Sequence, residues 1–162
     1  MSEKEKPDKL EKLKVEYEKL KQKYKLPAFD ELNNEFEIFD IKANSFIIRE
    51  IRRRIIHKAE DFLSLLNPIL NPNPNSLHSL IETKIFEKQD LEPMFDFYRK
   101  LFQLAHKGIT ASFEPEVAET AWINEVWKAW PEIKKQIAGY SKKITEGWGK
   151  VEKEVFTDKY LG

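Results

Sequence analysis

The sequence predicts an all-α fold, a bundle of six or seven helices with long helices at both ends. Three observations predict it. Apolar residues recur at intervals of three and four in every long segment. No long run alternates apolar and polar residues with period two, so no sheet is expected. Only 5 glycines occur in 162 residues, too few for an all-β chain with many tight turns. The length suits one helical domain over residues 1–162.

The first helix is expected over residues 8–25. Leu10, Leu13, Tyr17, Leu20 and Tyr24 follow one another at spacings of 3, 4, 3 and 4, the seam of a coiled coil. So short a seam is unstable alone in water. It packs either on the chain's own core or on a second copy, and residues 1–26 could project as an arm. Pro27 breaks this helix and opens a short one over 27–37, where its missing N–H costs nothing. Phe29, Leu32 and Phe36 form its apolar side, with Phe39 in the connection that follows.

Asn44 or Ser45 caps a long helix that runs to about Leu66. Its stripe of Ile48, Ile51, Ile55, Ala59, Phe62 and Leu66 is widened by Ile47, Ile56, Leu63 and Leu65, which predicts a central helix. Asn67-Pro68 stops it. Residues 67–75, Asn-Pro repeats, are expected to form a loop and the chain's one hinge. Ser76 then opens a helix through Phe86, and Asp90 caps the next, which ends with Gly108 as its C-cap. On that helix Leu91, Met94, Phe95, Phe97, Tyr98, Leu101, Phe102, Leu104 and Ala105 share about half the circumference, which predicts one broad buried face. A helix over 116–130 ends at Pro131. The last begins there with Ile133, Ile137, Tyr140, Ile144, Trp148, Val151 and Val155, and is expected to bend or break near Gly147 to Gly149.

Composition excludes several functions. The absence of cysteine removes disulfides, thiolate metal sites and cysteine nucleophiles, and makes a cytoplasmic setting the default. The N-terminal residues form no apolar signal core. The longest stretch without Asp, Glu, Lys or Arg, 62–81, contains three prolines, so no membrane span is expected. No Walker loop, G-x-G-x-x-G, G-x-S-x-G or H-E-x-x-H occurs, so neither enzymatic activity nor a cofactor nor a small-molecule substrate is indicated. His57 has Asp61 four residues on and His78 has Glu82 four residues on, but three or four converging ligands are needed for a metal, and none is expected.

The neutral net charge conceals segregation. Residues 26–41 sum to −5 and residues 42–58 to +5. Four of the chain's 5 arginines, Arg49, Arg52, Arg53 and Arg54, fall within six residues. They either clamp the acidic segment or form a patch for a nucleic-acid backbone or an acidic partner. Trp122, Trp127 and Trp130 share one arc of a helix. They serve either the core or a partner surface.

Two runs, 45–66 and 90–108, carry a resemblance through FIIREIRRRI and FYRKL. They look like parts of uncharacterised all-helical proteins from archaea. The Arg-rich helix followed by Tyr98, Arg99, Lys100 and Leu101 also resembles, more faintly, the helical domain of GINS replication subunits. The first resemblance implies no activity. The second implies a non-enzymatic replication scaffold. The expected function is protein–protein contact, with a second copy or another protein. Its expected surfaces are the first seam (Leu10, Leu13, Tyr17, Leu20, Tyr24) and the Trp helix (Trp122, Trp127, Trp130). The alternative is a nucleic-acid adaptor using the four arginines.

Overall fold

The computed structural model describes residues 5–43 and 46–151, with side chains from residue 9 onward. Among these residues the fold is all-α, with no strand. Six helices follow one another: α1 (Glu5–Tyr24), α2 (Phe29–Phe36), α3 (Ile47–Leu70), α4 (Leu77–Ile85), α5 (Lys88–Ala111) and α6 (Glu116–Gly149). A 3-10 turn, Ile38–Asp40, follows α2. Where the length suggests one domain, the chain divides into two compact units. Unit 1 comprises Met1–Asp61 and Leu101–Pro131; unit 2 comprises Phe62–Lys100 and Glu132–Gly162.

Helix ends show where local sequence signals hold and where packing overrides them. Pro27 is not what stops α1. Lys25 takes a left-handed conformation at φ 54°, and the Leu26 N–H donates to the Lys21 carbonyl at 3.2 Å. That closes a Schellman turn on a residue with a Cβ. Pro27 stands beyond it, and α2 starts two residues later than Pro27, with Ala28 as its N-cap. Glu31 accepts the Ala28 N–H at 3.0 Å, one half of a capping box; a methyl side chain cannot supply the other half.

Pro68, the expected end of α3, lies inside it. Proline removes the hydrogen bond to the carbonyl four residues back, that of Ser64, an exposed residue whose carbonyl water can reach. Fully buried Leu66 and Ile69 hold the extra turn, and the Asn71 N–H donates to the Asn67 carbonyl at 2.8 Å. Pro131 is likewise inside α6, which runs unbroken for 34 residues. Trp130 and Ile133 on either side of it are buried. The bend or break expected between Gly147 and Gly149 is a break, since α6 ends at Gly149. α5 begins before Asp90. The Asp90 carboxylate reaches back to accept the Glu87 N–H at 2.8 Å. The helix continues through Gly108, which is buried and is not a C-cap. The expected caps Asn44 and Ser45, and Val155, lie outside the described residues.

In unit 1 the core gathers Leu13, Tyr17, Leu32, Phe36, Ile51, Ile55, Trp122, Val126 and Trp130. In unit 2 it gathers Leu66, Ile69, Met94, Phe97, Ile137 and Ile144. The Asn-Pro segment of unit 2, shortened to 71–76, is tied down by one buried hydroxyl. Ser79 Oγ donates to the Pro68 carbonyl at 2.8 Å and accepts from the Asn73 N–H at 3.0 Å. Ser76 caps α4 as its sequence suggests, accepting from the Ser79 N–H. Where α4 meets α6, the buried Glu82 carboxylate accepts from the Trp148 indole N–H at 3.1 Å and lies 3.2 Å from His78 Nε2. Lys143 donates to Asp90 at 2.6 Å, and that ammonium holds the Asp90 carboxyl below its ordinary value.

Candidate functional site

The four arginines occupy one turn and a half of α3 and meet four different fates. The Arg52 side chain turns into unit 1. Its Nε donates to Glu119 Oε2 at 2.6 Å and its Nη1 to the Gly108 carbonyl at 3.2 Å. Both charged side chains are only 8% exposed. A charge so buried has to be paired and hydrogen-bonded, and this one is. Arg53 pairs with Glu50 on its own helix at 2.7 Å, in solvent. Arg54 reaches Asp40 at 2.6 Å, and alone among the four it makes the expected clamp on the acidic segment. The Arg49 guanidinium stacks over the Phe46 ring at 4.9 Å. The four therefore do not form one outward patch.

Both expected interface sets largely enter the interior of unit 1. On the α1 seam Leu13 and Tyr17 are buried, while Leu10, Leu20 and Tyr24 are half-buried. The Tyr17 hydroxyl donates to the Pro27 carbonyl at 2.7 Å, and its ring meets Phe29 edge-on at 5.5 Å. Burial, reinforced by the Glu18 and Glu31 carboxylates, pushes its phenol above the ordinary value. Tyr24 donates to Glu116 at 2.7 Å. Trp122 and Trp130 are buried and Trp127 is half-buried. The indole N–H of Trp122 donates to the Leu104 carbonyl at 2.9 Å, and that of Trp130 to Glu35 at 2.8 Å. Most of the apolar area of these two sets is covered by the chain itself.

A further group of exposed apolar residues begins at Phe102, which the helix wheel assigns to the core. Within unit 1, α5 turns Leu101, Ala105, Gly108 and Ala111 inward. Three of these are small, which lets the Trp122 indole lie against the helix backbone. A Cβ on Gly108 would stand 2.5 Å from that ring. With this face inward, the large residues beside it point to water. Phe102 is 45% exposed and Ile109 39% exposed, with His106 exposed between them. Phe113, in the turn after the helix, is 84% exposed, and Val117 at the start of α6 is 59% exposed. Spacings of 4 and 3 place 102, 106 and 109 along one line of the α5 surface. The Phe102 and His106 rings lie 4.3 Å apart. Phe95, also expected in the core, is exposed in unit 2. The run of small residues at 105, 108 and 111 is the sequence signal that could have chosen the buried side.

The histidines do not converge. His57 lies 3.8 Å from Glu60 rather than against Asp61, and His78 meets Glu82 as its spacing suggests. Among the described residues no three His, Asp or Glu side chains form a group able to hold a metal ion. No helix among them is long and apolar enough to cross a membrane. No family model, curated protein or solved structure matches the chain.

Proposed function

We propose that this is a non-enzymatic protein that works by binding another protein, through the ridge of Phe102, Ile109, Phe113 and Val117. One observation carries the reading: four large apolar side chains within residues 102–117 are exposed, at the end of α5, in the turn after it and at the start of α6. Full burial of such a side chain contributes about 1.5–3 kcal/mol, and each forgoes a share of it in proportion to its exposure, largest for Phe113. Large exposed apolar side chains grouped along a short segment mark a candidate interaction site. Aromatic anchors dominate the energetics of such surfaces. The lack of cysteine supports a cytoplasmic setting. The arginine turn supports a nucleic-acid reading less well, because Arg52 is held inside unit 1.

The test is photo-cross-linking in the cells that make the protein. A benzophenone side chain at position 113 should yield a discrete protein adduct, and the same group at exposed Lys128 should not. Equal adducts at both positions, or none at 113, would remove the ridge from the account.

A further inference from the structure

Unit 2 holds a second surface of different chemistry. α4 and α6 flank an open cleft of about 900 Å³. Its apolar lining comes from Ile81 and Ile85 on α4 and from Val151 just past α6. Basic residues stand around these: Lys84 on α4, Lys142 and Lys143 on α6, and Lys150 just after it, against one acid, Glu146. Lys143 is engaged by Asp90 at 2.6 Å, and Lys142 lies 3.8 Å from Glu146. Lys84 and Lys150 are exposed, with no acid partner among the described residues. In a chain of zero net charge this is a local excess of positive charge around an apolar floor.

The shape of the cleft narrows the occupant. Its lining on α6 runs from Gly139 to Gly147, about 12 Å at the rise of a helix. That length matches two turns of a helix laid alongside. Gly139 leaves the wall without a side chain, and a Cβ there would meet nothing within 4 Å. Another backbone can therefore come close. Gly147 differs, because Ile85 already fills the space beside it, and a Cβ there would stand 2.5 Å from the Ile85 side chain. A concave strip with an apolar floor and lysines along both sides fits a rod that is apolar on one side and acidic on its flanks.

We propose that the α4–α6 cleft receives an acidic amphipathic helix of a partner protein. The apolar side of that helix covers Ile81, Ile85 and Val151, and its carboxylates meet Lys84 and Lys150. This is helix-in-groove recognition, with the charge pattern supplying selectivity. It stands apart from the α5 ridge.

The experiment is fluorescence anisotropy of the full chain with a labelled two-heptad synthetic helix carrying Leu at a and d and Glu elsewhere. Two controls accompany it, the same composition in scrambled order and the same helix with Lys for Glu. Saturable binding of the Glu helix is expected, weakening with salt. Both controls should bind about tenfold more weakly or worse. Lys84→Glu with Lys150→Glu should weaken binding of the Glu helix by about tenfold or more. Gly139→Phe, placed where a side chain meets no neighbour, should abolish it without disturbing the helix that bears it. Phe102→Ser with Phe113→Ser should leave the affinity unchanged, so this proposal and the ridge reading fail separately. Equal binding of all three probes would overturn the proposal. So would indifference to both cleft variants. Lysine-dependent binding of duplex DNA or phosphatidylglycerol vesicles without binding of the Glu helix would overturn it too.

Discussion

α3 and α5 are both 24 residues long, both carry a wide apolar arc, and both contain a proline. They use their side chains in opposite ways. α3 buries all of its isoleucines in the interior and takes one arginine with them. α5 turns small residues inward in unit 1 and leaves a phenylalanine and an isoleucine in water. The difference teaches that an apolar arc on a wheel does not name the buried face. The side that packs is the one whose neighbours fit, and a helix lined by Ala105, Gly108 and Ala111 fits a Trp ring best on its small side.

The largest expected loss of stability is on α3. Arg52→Ala leaves Glu119 buried without its cation and should cost about 3–5 kcal/mol in urea unfolding. Arg53→Ala, its exposed neighbour, should cost less than about 1 kcal/mol. Similar losses would mean that the two arginines share one environment. On α5, Gly108→Ala gains helix propensity but drives a methyl into the Trp122 ring. A net loss of about 1–3 kcal/mol is expected. Gly139→Ala on α6 meets no neighbour and should gain up to about 1 kcal/mol by the same assay. At the α2 start, Ala28→Ser completes the capping box and should gain about 0.5–1 kcal/mol. The smallest effect concerns protonation. Lys143→Ala should return the Asp90 carboxyl toward its ordinary value in an NMR titration. Because that value is lowered in the folded chain, its contribution to stability is complete above the ordinary carboxylate range. It is lost as pH falls through the folded value.

Much of the fold is legible in the sequence because the local signal and the packing agree. The α1 seam keeps strict spacing, and Leu13 and Tyr17 are its buried centre. Ser76 caps α4 because a hydroxyl before an apolar run has a free N–H to accept from. Proline is a weaker stop signal here than its chemistry suggests. Pro68 and Pro131 each remove one hydrogen bond, and buried neighbours on both sides outweigh that loss. Lys25 gives no local signal, since only the surrounding chain can force a left-handed lysine. The candidate surfaces are less legible than the elements. Arg52 finds Glu119 across 67 residues of sequence, a pairing no spacing rule reaches. The seam and the Trp arc are recognisable as apolar surfaces, but their coverage depends on what folds against them. The ridge is written as a helical stripe, and only the small residues beside it show which way it faces.

We propose that the ridge at the end of α5 recognises a partner and does little for the fold. The direct measurement places the benzophenone group at Val117 in a chain carrying Phe102→Ser, Ile109→Ser and Phe113→Ser. The claim predicts loss of the adduct seen from position 117 in the otherwise unchanged chain, with urea stability altered by no more than about 1 kcal/mol. An adduct formed at undiminished yield by a stably folded triple variant would contradict it.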